Sequence, residues 1–288
     1  MKLDYTIKYV ANNKYENESN GALWQFLIIP EDNDSQEIIS SDFTNSLNIP
    51  VESSINGYDF QTYRINTRER FREIEFVAEF KLSKTVENIF ETINQEFSEQ
   101  EYERLRSIEF RANHDVFLRD TELTNLLKEV SFQFDKTISL FQNLLNLNAW
   151  IKENFTFKTD VTGIDTDLND ILKNKQGVCQ DFTHLFIAIS KQFGIPSRYI
   201  SGYLHQGNGY FGDSQMHAWV ECCLPDSGWI GFDPTNNLIA AENHIKVAHG
   251  KDYTDCPPLK GMVFSSGNNE TEYTVTVRAQ QQQQQQQQ

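Results

Sequence analysis

Apolar residues fall on every second position early in this chain and on every third or fourth position later, and that switch limits what it can fold into. Leu3, Tyr5, Ile7 and Tyr9 alternate with Asp4, Thr6 and Lys8; Trp24, Phe26 and Ile28 repeat the rhythm, as do Ile74, Phe76, Ala78, Phe80 and Leu82. Alternation of this kind buries one face of a pleated strand. The stretches between, Glu31-Asp32-Asn33-Asp34-Ser35 and Asn56-Gly57, are turn formers. Residues 1–85 are therefore expected to form a small antiparallel β-sandwich. Nothing in them has catalytic spacing, so a structural role is favoured over substrate positioning.

The texture changes near residue 85. Residues 86–120 form a linker or helical connection, charged around Glu96, Glu99, Glu101, Arg104 and Arg106. Leu123, Leu126, Leu127 and Val130 then make one helical stripe, and Phe141, Leu144, Leu145 and Ile151 make another, with Asp135 as its expected cap. Leucine-rich stripes of this kind are core, and no function is assigned to them. A last strand is expected over 272–278, ending a second unit that spans 121–279. The glutamine run 280–288 has no means of building a core and is expected to be disordered. The resulting class is α+β: sandwich first, helices and a second sheet after it.

Composition narrows the partners. Twenty-five basic residues against 41 acidic ones give a formal charge of −16. Nucleic acid and anionic membranes are bound by clustered Lys and Arg, so neither is an expected partner. No signal-peptide core and no run of about 18 apolar residues is present, so no membrane span is expected. Cys179, Cys222, Cys223 and Cys256 are too sparse for a disulfide framework. A cytoplasmic location follows as the simplest expectation. The cysteines also lack metal-ligand spacing, so neither metal nor cofactor is expected.

Chemistry concentrates around Cys179. Phe182, Leu185, Phe186, Ile189 and Phe193 define one buried helical face, and Gly194 with Pro196 ends the helix. The buried stripe starts after Cys179, which leaves that residue at the helix mouth, flanked by Gln180 and Asp181. There the unpaired N–H groups and the positive dipole end favour a thiolate, the form that attacks a carbonyl. The Cys179 N–H could help hold the oxyanion formed in that attack. An arbitrary cysteine is more often a small core residue; this position weighs against it.

His217 opens a strand, 217–224; Pro225-Asp226-Ser227-Gly228 is a turn, and a second strand returns over 229–233. In such a hairpin His217 can exchange protons with a thiol and a leaving amine, and Asp233 can fix the imidazole tautomer. A four-residue loop pairing Leu224 with Trp229 would, however, set Val220 opposite Asp233 and turn His217 to the other face. A different loop length or a bulge is therefore expected. His184, on the cysteine's own helix, is expected to be structural, and His205, His244 and His249 fall in or near presumed loops with no special role.

These motifs resemble the transglutaminase-like superfamily, whose core is papain-like. Gly177-Val178-Cys179-Gln180-Asp181-Phe182 resembles its nucleophile motif; Gly194-Ile195-Pro196-Ser197-Arg198-Tyr199 and Ser201-Gly202-Tyr203 resemble the strand that follows. His217-Ala218-Trp219 and Asp233-Pro234-Thr235-Asn236 are similar to its base and orienting motifs. Val247-Ala248-His249-Gly250-Lys251-Asp252-Tyr253 and Pro257-Pro258-Leu259-Lys260-Gly261 are similar to a tail of the bacterial branch, which also has a β-rich region before the core. The resemblance implies that Cys179 is the nucleophile, His217 the general base and acid, and Asp233 the orienting acid. Gln180 and Trp219 are side-chain candidates for the oxyanion or its surroundings.

The expected reaction is attack of Cys179 on a peptide or γ-glutamyl-type amide, giving a thioester that water or an amine resolves. Bacterial members of the resembling branch are viewed as cysteine proteases, which favours hydrolysis. No calcium-binding run of spaced acidic residues is present, which disfavours a calcium-dependent cross-linker. The competing class is a peptide- or protein-binding scaffold without chemistry, for which retention of Cys179, His217 and Asp233 together has no use. A purely structural sandwich protein leaves the motif order unexplained.

Overall fold

The structure is a computed structural model that describes residues 1–281 apart from 87, 94–95, 128–129 and 206–208. The chain begins with β1 (Lys2–Ser19), β2 (Ala22–Phe26), β3 (Gln36–Asn45), β4 (Glu52–Ile55), β5 (Gln61–Thr67) and β6 (Phe71–Thr85). Helices α1 (Ile89–Thr92), α2 (Glu99–Arg106), α3 (Ile108–Asn113) and α4 (Leu140–Asn154) follow. Then come β7 (Thr156–Phe157), α5 (Leu168–Asn174), β8 (Gln176–Gly177) and α6 (Cys179–Gln192). The remaining strands are β9 (Ser197–Leu204), β10 (His217–Leu224), β11 (Gly228–Asp233), β12 (Leu238–Ile239), β13 (His244–Gly250), β14 (Leu259–Val263) and β15 (Asn269–Gln281). The fold is α+β, with antiparallel sheets at the N-terminal end.

Two four-stranded sheets, β15-β1-β6-β3 and β14-β2-β5-β4, make the sandwich. Their inward residues are those of the alternating pattern: Tyr5, Ile7, Tyr9, Trp24, Phe26, Phe76 and Phe80 are all buried. Each such aromatic or aliphatic side chain contributes roughly 1.5–3 kcal/mol by leaving water. Division by sequence texture cuts this chain where the sheets do not. β14 and β15, assigned above to the second unit, pair with β2 and β1 of the sandwich, because membership of a sheet follows hydrogen-bonding partners and not chain order. The first residues of the glutamine run share in this: Gln280 and Gln281 pair with Asp4 and Leu3, and the rest of the run lies outside the described residues.

The central sheet has the order β12-β11-β10-β9-β13, and α6 packs against β9 and β10. The sandwich is tied to this sheet by buried polar contacts. Tyr203 Oη donates to Ile28 O at 2.5 Å, and Gln36 exchanges two hydrogen bonds with the backbone of Lys246.

Two helical expectations are corrected. The leucine stripe at 123–130 forms no helix among the described residues: Thr121 and Thr124 bond to each other and to the local backbone as a turn, and Leu127 stays exposed. Thr hydroxyls compete with helical hydrogen bonds in this way. Helix α4 does form, but Ser139 caps it by accepting from Gln142 N, whereas Asp135 accepts from Thr137 in the preceding turn. The shorter hydroxyl lies directly before the first helical residue, where capping geometry works.

Candidate active site

Helix α6 opens at Cys179 because the residues before it are shaped for a helix start. Asp181 reaches back to accept from Val178 N at 2.8 Å and from the Thr162 hydroxyl at 2.7 Å. Gly177 makes room for that carboxylate: a Cβ there would sit 2.8 Å from Asp181 Oδ2. Phe182, Leu185, Phe186 and Ile189 bury the expected face, and Gly194 ends the helix at φ +79°. Cys179 is left half-buried at the positive end, its thiol unpaired with any other cysteine.

The hairpin resolves the register problem by a shorter loop. Leu224 pairs with Gly228, Val220 with Phe232, and Pro225-Asp226-Ser227 is a three-residue loop. Ser227 N donates to Leu224 O, and Gly228 adopts φ +71°, the left-handed residue that follows a type I turn in such loops. One residue less in the loop moves every side chain of β11 to the other face. Asp233 thereby falls beside Trp219 on the face that also carries His217.

His217 Nε2 donates to Asp233 Oδ2 at 2.9 Å, with both side chains fully buried. Burial alone would lower the affinity of this imidazole for its proton. The Asp233 charge and hydrogen bond, followed by the neighbouring Cys179 thiol, more than offset it and raise His217 above its ordinary range. Burial likewise favours a protonated Asp233, but His217 and then His244 hold the carboxyl well below the usual carboxylate range. The other ring nitrogen, His217 Nδ1, has no aligned hydrogen-bond partner within the protein. Gly212 lies against it, at φ +86°, where a Cβ would come within 2.5 Å of Nδ1.

Asp233 is held from several sides. Its Oδ1 accepts from Thr235 N and Asn236 N, and its Oδ2 accepts from Asn236 Nδ2 as well as from His217. Asn236 also exchanges hydrogen bonds with the Phe211 backbone, so it ties the Asp233 carboxylate to the loop that leads to His217. The end of that loop is fixed by the sandwich, since Val275 N in β15 donates to Ser214 O.

The structure thus brings Cys179, His217 and Asp233 together. Gln180 directs its amide to Ile164 O, and Trp219 packs in the interior beside the His217 and His244 rings. His184 is buried and accepts from Tyr253 N; burial lowers it to about 4, as a neutral structural histidine. One expectation is corrected: His249 and His244 lie in β13 and not in loops, and His244 is hydrogen-bonded within the site. It opens β13 and donates from Nε2 to Asp233 Oδ2 at 3.1 Å. Its distance from the motifs in sequence gave no signal. His217, Asp233 and His244 are also the group whose potential ligand atoms lie within 4.8 Å of one another among the described residues. Within this group the His217 and His244 Nε2 atoms both hydrogen-bond to Asp233 Oδ2.

Residues 129–234 match the transglutaminase-like superfamily. An uncharacterized protein of Mycobacterium leprae is 38% identical over 132 residues, 44% of this chain and 46% of that protein. The chain spans about half the length of the curated relatives it matches first. A protein-glutamine gamma-glutamyltransferase of Pseudomonas aeruginosa is 31% identical over 87 residues, 28% of this chain and 13% of that protein. The crystal structure of a candidate cysteine protease from Cytophaga hutchinsonii shares the fold, with a TM-score of 0.79 over 98% of this chain and 92% of that one, at 20% identity. No helix among the described residues is long and apolar enough to cross a membrane. Residues 129–234 thus match a transglutaminase-like core domain, and the whole chain shares the fold of the Cytophaga hutchinsonii structure.

Proposed function

We propose that this chain is a cysteine-dependent amidase or protease acting on peptide or protein amides through Cys179, His217 and Asp233. One observation carries the reading: a half-buried thiol at a helix N-terminus stands beside an imidazole whose far nitrogen is held by a buried carboxylate. The Cys179 sulfur attacks the amide carbon, the developing oxyanion is met by N–H groups at the mouth of α6, and the C–N bond breaks. His217 gives its proton to the departing amine or ammonia. Water, deprotonated by His217, then attacks the thioester, the C–S bond breaks, and the thiol is restored. Asp233 keeps the imidazole in the Nε2–H tautomer and stabilises its charged form.

The test is incubation with casein and a fluorescent amine, alongside an assay for free ammonia. Peptide or ammonia release without amine incorporation, abolished in Cys179→Ala, is the expected result. Amine incorporation would instead assign the activity named for the Pseudomonas relative. Iodoacetamide labelling of Cys179 at the rate of an ordinary thiol, unaffected by His217→Ala, would leave only a non-catalytic binding scaffold.

A further inference from the structure

The central sheet has β12 at one edge and β13 at the other, so residues 240–243 must pass over the strands between them. They lie close to the sheet. A Cβ on Gly231 would meet Ala240 Cβ at 2.6 Å. At the end of this crossing His244 is delivered to the orienting carboxylate, its ring packed edge-on against Trp219 at 5.1 Å.

Three side-chain donors then converge on Asp233 Oδ2: His217 Nε2 at 2.9 Å, Asn236 Nδ2 at 2.9 Å and His244 Nε2 at 3.1 Å. A carboxylate can only accept, so both imidazoles carry hydrogen on Nε2. His244 Nδ1 is buried without a partner. An N–H there would be an unsatisfied buried donor, whereas a bare lone pair costs less. The His244 ring is therefore the neutral Nε2–H tautomer; His217 Nδ1 also lacks an aligned partner, but that ring alone has the Cys179 thiol beside it, and the single positive charge that Asp233 supports belongs there.

The sandwich grips the crossing from outside. Lys84 of β6 is buried, and its ammonium donates to the carbonyls of Ala241 and His244. Tyr5 of β1 donates to Glu242 O at 2.6 Å. The titratable groups acting on the His244 ring are Asp233 from β11, His217 from β10 and Lys84 from β6, with Glu221 and Glu242 acting on Lys84. Burial, His217 and Lys84 all disfavour a charge on His244, which agrees with the neutral ring.

We propose that His244 is a positioning residue of the Cys179–His217–Asp233 site, held in place by the sandwich through Lys84. Its neutral Nε2–H fixes the orienting carboxylate in the one pose that meets His217, and Lys84 fixes the backbone that carries it. The inference rests on the amidase reading above and assigns the sandwich a part in the reaction.

The test reads iodoacetamide labelling of Cys179 against pH, which needs no substrate. His244→Leu should slow labelling near neutral pH by about 10- to 100-fold, the size of one lost hydrogen bond to a charged group. His244→Gln, which keeps an N–H donor, should recover most of the loss, and Lys84→Met should lose less in the same direction. Wild-type rates in His244→Leu, with His217→Ala slowed, would overturn this inference alone. Wild-type rates in both would overturn the amidase reading and the inference with it. On the unaltered protein, ¹⁵N shifts should show His244 as a neutral Nε2–H ring between about pH 6 and 8; an imidazolium there would overturn the assignment. Dialysis against EDTA should leave the labelling rate unchanged, and a loss restored by zinc would overturn the hydrogen-bonded role.

Discussion

His217 and Asp233 meet through a 2.9 Å hydrogen bond although they are never paired on their hairpin; Asp233 falls beside Trp219, two residues further along β10. The contact is a diagonal one on a shared face, within reach of two planar or forked side chains. It exists because the hairpin loop has three residues and Gly228 takes a left-handed turn.

Replacing Asp233 with Asn puts an amide among donors that need an acceptor, and it can set the wrong imidazole tautomer. A drop in kcat of roughly 10²- to 10⁴-fold is expected, by analogy with the orienting acids of other triads. Steady-state kinetics on the substrate found with casein would check it, and a loss below tenfold would remove Asp233 from its orienting role.

Gly177→Ala should break the start of α6, since its Cβ would fall 2.8 Å from Asp181 Oδ2 and displace the cap on Val178 N. A cost of about 1–2 kcal/mol is expected, the usual value of a lost N-terminal cap. Urea unfolding would measure it. Labelling of Cys179 should slow as well, because the same turn aims the thiol.

Gly212→Ala separates activity from stability. The new methyl would stand 2.5 Å from His217 Nδ1 on a backbone at φ +86°. The loop gives way at a cost of about 1 kcal/mol, so the melting temperature changes by only a few degrees, while kcat falls at least about tenfold. Equal losses in both would mean that the loop, and not the ring, carries the effect.

Acid should weaken the fold before the carboxylates titrate. Burial lowers His184 to about 4 from 6.5, so between those values the unfolded chain binds a proton that the folded chain refuses. Unfolding free energy then rises with pH across this window and falls on acidification, by roughly 3 kcal/mol in full. His249 and His244 are also lowered by burial and act in the same direction. His217 is raised, so its contribution is present below about 6.5 and is lost only as pH climbs through its folded value. His184→Gln, which can still accept from Tyr253 N, should flatten the acid slope; an unchanged slope in urea titrations at several pH values would refute it.

Much of the site was written locally. Cys179 at a helix mouth follows from the helical period starting at Phe182, from Gly177 before it and from Gly194 after it. The strand pattern of Tyr5, Ile7 and Tyr9 and of Phe76, Ala78 and Phe80 likewise needs only neighbours in sequence. Spacing could also place His217 and Asp233 on one hairpin. It could not choose between a three- and a four-residue loop, because both fit Pro225-Asp226-Ser227-Gly228 and only the packed faces of the sheet select one.

What the sequence determined alone was therefore local: the alternating strands and the helix that opens at Cys179 follow from periodicity and turn chemistry acting over a few positions, whereas the helix expected at 123–130 and the Asp135 cap did not form. Tertiary structure decided who meets whom. β14 and β15 joined the sandwich they lie far from in sequence, and His244 meets Asp233 where its segment crosses from one edge of the central sheet to the other. Such contacts depend on strand order and burial, and no short-range pattern encodes either.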